Sequence, residues 1–555
     1  MSLNGRRDAA IGPREVTTAS FAPSADRRSL LDRAHRGDIV GAIGRVSSTD
    51  TGPRRSMRRR LATLLAIAGP GVIVMVADND AGGISTYAQA GQDYGLRFLW
   101  LLIVLAGALL VNQEMVGRLG AVTGAGHARL IYERFGRRWG AFALSDLLIV
   151  NFLVIVTEFI GLALGLAYFG VSRYISVPLA ALALIALAAT GSFRHWERAM
   201  YVLVALSFVA IPLVVLVHHS PALSPVLAAP HHPAPGSTIL VVIALIGTTV
   251  APWQLFFQQS NVVDKRITAR WLPYERADTA AGTLLFVVGA VATLAACALA
   301  FSGTPLHGAF IDAGTVAEGL RHRAGAWAGA FFAVALINGS ILGAAAVTLS
   351  TSYAIGDVRG TKHSLHRTWR DARMFHGSYA ALVVLAAAIV LIPGAPLGIV
   401  TIGVQALAGV LLPSALVFLL LLCNDRAVLG PRINSRWLNV VAASVAAVLL
   451  VLSALLTIST LFPGLRISWL TLDLPVVCAA LLGALFGWRL SCGAEAEPPG
   501  GYLPDKKIWT MPPIDTLAPP LRSRARFLGL AVLRAYLLVA GVAVVVKVVR
   551  LIAGS

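Results

Sequence analysis

Apolar residues in this chain fall in long blocks rather than in short alternations. From about residue 61 almost to the C-terminus, stretches of roughly 20 mostly apolar positions recur between short polar loops. That length carries an α-helix across the hydrocarbon core of a bilayer. With no water there, each backbone amide needs an internal partner, and runs this long exceed those of barrel strands, so the pattern predicts helices. Twelve spans are predicted, at 62–91, 98–117, 141–168, 175–190, 199–217, 238–262, 281–301, 326–353, 376–393, 396–422, 438–461 and 471–489. A further apolar stretch at 527–546 carries Arg534 and runs into Lys547 and Arg550, and is predicted either to span or to lie along the interface.

Composition agrees: 57% of the 555 residues are hydrophobic and 13% charged, with a mean hydropathy of +0.75, values outside the range of soluble globules. The net charge of +19 could suggest nucleic acid as a partner, but its placement follows membrane topology instead. The loops 118–140, 191–198, 264–280, 356–374 and 425–437 together hold nineteen Lys and Arg, against five in the intervening loops. This asymmetry predicts an inner-membrane protein with its N-terminus and basic loops in the cytoplasm. Residues 1–60 read as a disordered, Arg-rich cytoplasmic tail, in which Arg54, Arg55, Arg58, Arg59 and Arg60 can pin the start of the first span to anionic headgroups. Cys297, Cys423, Cys478 and Cys492 show no CxxC spacing and imply neither disulfide nor zinc. Gly-Lys never occurs as a dipeptide, so there is no Walker A loop, and HExxH and GxSxG are absent. An enzyme is not expected, nor a cofactor, and any transport would draw on gradients.

Two spans are predicted to be broken. The first contains Asp78-Asn79-Asp80-Ala81-Gly82-Gly83 in mid-stretch. Carboxylates in a membrane are costly and mark function by default, and paired glycines ease unwinding. The sixth contains Gly247-Thr248-Thr249-Val250-Ala251-Pro252-Trp253-Gln254, where Pro252 removes a backbone donor. Unwinding frees carbonyl oxygens, which beside a carboxylate suit hard cations such as Mg, Ca or Mn. Interruptions at matching positions of spans 1–5 and 6–10 point to an all-α, LeuT-like 5+5 inverted repeat with broken first and sixth helices plus extra C-terminal helices. The core would cover 61–425, two added helices 426–490, a cytoplasmic linker 491–526 and a final transmembrane or interfacial helix 527–555. The commonplace alternative is that a lone proline kink such as Pro252 marks nothing.

Gly69-Pro70-Gly71 through Asp80-Ala81-Gly82-Gly83, Gln89-Ala90-Gly91, Tyr94-Gly95 and Arg118-Leu119-Gly120-Ala121-Val122-Thr123-Gly124 resemble the first two helices of the Nramp divalent-metal transporters. Thr157-Glu158-Phe159-Ile160-Gly161 is similar to their third helix, Thr248 to Pro252 to their sixth, and Gln405, Leu411-Leu412-Pro413 and Asn424-Asp425 to their tenth. The resemblance implies Asp80 as central metal ligand, carbonyl oxygens of Ala77 and Thr248, and Gln405 closing an occluded state. It also shows departures. Gly83 stands where the family has Asn, Ala251 where it has Met, Trp253 and Gln258 where it has His, and Ile155 where it has an Asp associated with proton movement. Loss of a thioether removes a bias towards softer metals, and the smaller residues would empty volume for a partly hydrated ion. The pattern resembles the Nramp-related magnesium transporter branch.

Trp253, with Phe256 and Phe257, either shapes the cavity or packs against neighbours, and Gln254 lies beside it in the sequence. Asp78 lies about 200° from Asp80 on an intact helix and shares its face only if the backbone unwinds. Glu158 either lines the cavity or bonds a helix terminus. The expected function is a carrier of Mg²⁺ and Mn²⁺ into the cytoplasm by alternating access without obligatory proton coupling, the metal being substrate and the lipid bilayer the surroundings. A proton-coupled Mn²⁺ or Fe²⁺ symporter is the alternative within transport, and a non-transporting membrane sensor or scaffold the alternative outside it. Oligomeric state stays open.

Overall fold

The computed structural model describes residues 35, 37–50, 52–217, 235–393, 397–461, 469–494, 506, 509–517 and 526–538. Each of the twelve predicted spans coincides with helix. The first is in pieces, Met57–Ile67, Pro70–Val76 (half-helix 1a) and Ala81–Tyr94 (half-helix 1b). The second to fifth are Leu99–Thr123, Arg137–Tyr168, Arg173–Ala188 and Phe193–Val217. The sixth divides into Pro235–Thr249 (6a) and Pro252–Asp264 (6b). Leu272–Phe301, Ala326–Arg359, Arg373–Val390 and Leu397–Cys423 complete the ten-helix core, and Arg436–Leu461 and Trp469–Ala494 follow it. By length and hydropathy, nine helices among the described residues qualify as spans, or ten if Met57–Ile67 and Pro70–Val76 count as one. The shortfall from twelve has a plain cause: the first span is cut into short pieces, and Arg173–Ala188 and the Pro475–Ser491 portion of the last are shorter than the rest.

The architecture is the LeuT-like inverted repeat. The broken first span packs on the seventh, the third on the eighth, and 6a on the tenth. Small residues let these backbones meet, as is usual where lipid offers no hydrophobic drive between helices. A Cβ on Gly161 would come within 2.3 Å of the Ala81 Cβ, and one on Gly247 within 2.1 Å of the Gln405 carbonyl oxygen. The two added helices lie against each other, Arg436–Leu461 also touching the tenth span.

Residues 37–50 and 52–60 depart from the expected disordered tail. Ile39–Val40 and Arg45–Val46 pair as a small antiparallel hairpin whose Ile39, Ala42 and Val46 are buried. Its Ala42 amide donates to Glu197 at 2.5 Å, and the Arg198 and Arg266 side chains donate to the carbonyls of Ala42 and Asp38 at 3.2 and 3.0 Å. Backbone groups of a polar segment here find charged partners on the fifth span and just past 6b, which composition alone does not disclose. The earlier part of that tail, 1–34 and 36, lies outside the described residues, as do 539–555 of the C-terminal stretch. The helix at 526–538 rests on the core, with the Arg534 guanidinium 5.6 Å from the Trp139 ring and the Tyr536 hydroxyl donating to the Val410 carbonyl.

Candidate metal site

Half-helix 1a ends at Ala77, and Asp80 opens half-helix 1b in an extended conformation, its carboxylate accepting the Gly83 amide at 2.6 Å. In an intact helix the Ala81 amide would bond the Ala77 carbonyl. Here it donates to Glu158 at 3.1 Å, so the Ala77 oxygen loses its helical donor. Glu158 thus caps a helix terminus, and its carboxyl lies close to Asp80 across Gly343. Among the described residues neither acid is paired with Lys or Arg. A Cβ on Gly343 of the eighth span would sit 2.7 Å from the Asp80 Cβ and 2.8 Å from the Glu158 carboxyl carbon, so only glycine admits both acids there.

The sixth break faces this one. Ala251 is extended (ψ 145°) and brings no capping side chain, and Pro252 has no amide to offer the Thr248 carbonyl. The locus of a Cβ on Gly83 is 3.2 Å from the Thr248 hydroxyl, 3.3 Å from Asp80 Oδ1 and 2.5 Å from the Asp78 carbonyl oxygen. Oxygens of both breaks therefore converge beside Gly83. Gln405 joins them from the tenth span, its amide nitrogen 1.6 Å from where a Cβ on Gly82 would stand. The Asp78 carboxylate accepts from Gln254, which in turn accepts from Gln113 at 3.4 Å.

This corner of the molecule is rich in buried polar atoms without hydrogen-bond partners among the described residues: Asp78 Oδ2, the Thr248 and Thr249 hydroxyls, Glu158 Oε1 and Gln405 Nε2. Unsatisfied buried polar groups are costly and call for a ligand or water. Among the described residues no three His, Cys, Asp or Glu side chains are grouped to hold a metal. The donors on offer are carbonyl, hydroxyl, amide and carboxylate oxygens, a set for hard cations.

Asp80, Gly83, Thr248, Gln405, Asp78, Ala77 and Glu158 are thus assembled around the two breaks. Others of the expected residues are engaged elsewhere. Gln258 donates to Glu275 at 2.7 Å and to Thr279 at 2.9 Å on the seventh span. The Trp253 ring packs 6.1 Å from Phe257, and its carbonyl accepts from Ser350 at 2.9 Å. The volume expected from Gly in place of Asn at 83 is not free: the turn folds back and the Asp78 carbonyl occupies it. Gln113 and Gly343 were missed by sequence reasoning. The amides Asn112-Gln113 inside an apolar stretch were a usable signal for the first; nothing local marked the second.

The family model described as natural resistance-associated macrophage protein-like, Nramp, matches residues 71–459. A divalent metal cation transporter MntH of Deinococcus radiodurans is 28% identical over 453 residues, covering 79% of this chain and 98% of that protein. One from Verminephrobacter eiseniae is 30% identical over 244 residues, and along that match the chain spans 54% of its relative's length and 42% of its own. Among solved structures, a manganese transporter of Eremococcus coleocola superposes with a TM-score of 0.57 at 21% identity, covering 81% of this chain and 98% of that one, a likeness of fold. Since the family match runs through well over half of the sequence and includes both breaks, the chain belongs to the Nramp family.

Proposed function

We propose that this protein is a secondary transporter that carries divalent metal cations, Mg²⁺ and Mn²⁺ foremost, into the cytoplasm by alternating access and without obligatory proton coupling. It would sit in the plasma (inner) membrane with its N-terminus cytoplasmic. The observation that carries the reading is the convergence of unpartnered oxygens from two facing helix breaks beside two adjacent carboxyl groups. Two like charges so close are unfavourable alone, and a doubly positive ion compensates both. The carboxylate, hydroxyl and amide groups gathered beside Asp80 favour metals that prefer oxygen. Ala251, the cap of 6b, contributes only a methyl group.

Liposomes containing the purified protein are expected to take up Mg²⁺ and Mn²⁺ with no accompanying acidification of the lumen. Exclusion of Mg²⁺, or uptake strictly tied to proton entry, would overturn the proposal. The second outcome is the signature of a proton-coupled Mn²⁺ or Fe²⁺ symporter, a reading that the closeness of Glu158 to Asp80 favours, since one of two adjacent carboxyl groups can carry a proton.

A further inference from the structure

The first span starts well before its break. Met57–Ile67 precedes half-helix 1a and bends from it by 55° at Ala68–Gly69. This arm has two unlike faces. Thr63, Ala66 and Ile67 are buried, and the N-terminal hairpin covers them so closely that a Cβ on Gly41 would meet the Ala66 carbonyl oxygen at 2.2 Å. On the other side Met57, Leu61 and Leu65 are 78, 53 and 37% exposed, and their four-residue spacing sets them in one row. Arg55 precedes that row, Arg58 flanks it and Arg59 falls one turn before Thr63 at the exposed start of the helix, and among the described residues the side chains of all three have neither hydrogen bond nor ion pair. Arg54 and Arg60 are occupied, Arg54 by Asp50 at 2.7 Å and Arg60 by the Arg54 carbonyl at 2.9 Å. The arm, MRRRLATLLAI, contains no acid. An exposed apolar row flanked by free guanidinium groups fits a helix lying in a headgroup layer, and its charge complements anionic lipid.

The bend ties this arm to the transport core. Lys265 Nζ donates to the Ala68 carbonyl and to Glu197, and Glu197 holds the hairpin through the Ala42 amide. Asp278 accepts the amides of Gly69 at 3.0 Å and of Gly71 at 2.7 Å. Gly69 has φ +148°, a conformation that L side chains rarely adopt, and a Cβ there would strike Glu197 Oε1 at 2.1 Å. Arm, hairpin, 6b and the seventh span therefore share one charged junction at the inner end of 1a.

We propose that the Met57–Ile67 arm binds anionic phospholipid, and that it is clamped between headgroups on its outer face and the hairpin on its inner face, so that lipid charge restrains the inner mouth. That the restrained half-helix presents a carbonyl to metal rests on the function proposed above; the lipid contact does not, and its test needs no transported ion.

The full-length chain, with Cys478 and Cys492 changed to Ser, would carry Ala42→Cys in the buried hairpin or Leu61→Cys on the exposed row. In vesicles of phosphatidylcholine with phosphatidylglycerol, a membrane-impermeant maleimide at the cytoplasmic face should label Ala42→Cys slowly. Labelling should quicken by on the order of a hundredfold in phosphatidylcholine alone, or when Arg55, Arg58 and Arg59 are all changed to Gln, each arginine near an anionic surface being worth about a fivefold factor. A bimane on Leu61→Cys should be quenched by brominated acyl chains in the anionic vesicles and not in the triple variant. Should Ala42→Cys fail to fold, the exposed Leu61→Cys gives the answer alone. Equal labelling and equal quenching in both lipids, or a triple variant that behaves as its parent, would overturn the proposal. So would protection in detergent by inorganic phosphate alone, because that would assign the arginines to a free anion.

Discussion

The two breaks share a backbone device but differ in chemistry. The first is closed largely by the protein's own groups: Asp80 on the Gly83 amide, Glu158 on the Ala81 amide, and the Asn79 side chain donating to the Phe286 carbonyl at 3.2 Å. Two acids thus face the amide-rich, positive end of half-helix 1b. The sixth break has no such cover. Its cap is an alanine, its proline removes a donor, and among the described residues the Thr248 and Thr249 hydroxyls have no partners. One half of the repeat supplies negative charge already anchored to backbone, and the other supplies neutral oxygens with nothing to bind. Under the function proposed above, a cation would draw on both halves at once.

The largest effect should come from removing the charged half of that contrast. Asp80→Ala is expected to reduce divalent-metal flux in liposomes by on the order of a hundredfold, since cation affinity follows the charge of the ligand set; flux within about twofold of the parent would contradict the assignment. A smaller effect is expected at the neutral half. Pro252→Ala restores an amide that can bond the Thr248 carbonyl and rewind the helix, so flux should fall roughly tenfold while thermal stability holds or rises by about 1 kcal/mol. A variant that loses flux and stability together would instead mark Pro252 as a packing residue. The smallest effect should separate capping from charge. Glu158→Gln keeps an oxygen for the Ala81 amide, whereas Glu158→Ala leaves that amide buried and unpaired at a cost of about 1–3 kcal/mol. Denaturation midpoints for the two variants would show whether the acid is needed as acceptor or as anion; equal losses would point to the anion.

The sequence carried much of this contrast. Asp80, the glycine pair and Pro252 mark their breaks because each violates a rule for buried helix: a costly charge, an easily unwound backbone, a missing donor. The spans were legible because apolar length is a local property. Lateral partnerships were not. Gln258 lies near Trp253 in the sequence yet turns to Glu275, and the space vacated at Gly83 is filled by the carbonyl of Asp78. Such outcomes depend on how a turn closes or which helix lies alongside, and neither leaves a periodic trace. The hairpin at 39–46 was hidden for the same reason, since polar composition reads as solvated tail until Glu197, Arg198 and Arg266 come within reach.

Gly247 and Gly409 bring half-helix 6a against the tenth span with backbone touching backbone: a Cβ on Gly247 would stand 2.4 Å from the Gly409 nitrogen, and one on Gly409 2.7 Å from the Ile243 carbonyl oxygen. With no side chain between them to yield, the pair has nothing to slide or roll upon. Gln405, one turn before Gly409, is therefore geared to Thr248, one residue after Gly247. In the transport cycle proposed above, Gln405 and Thr248 should therefore travel together, as a single jaw facing the first span.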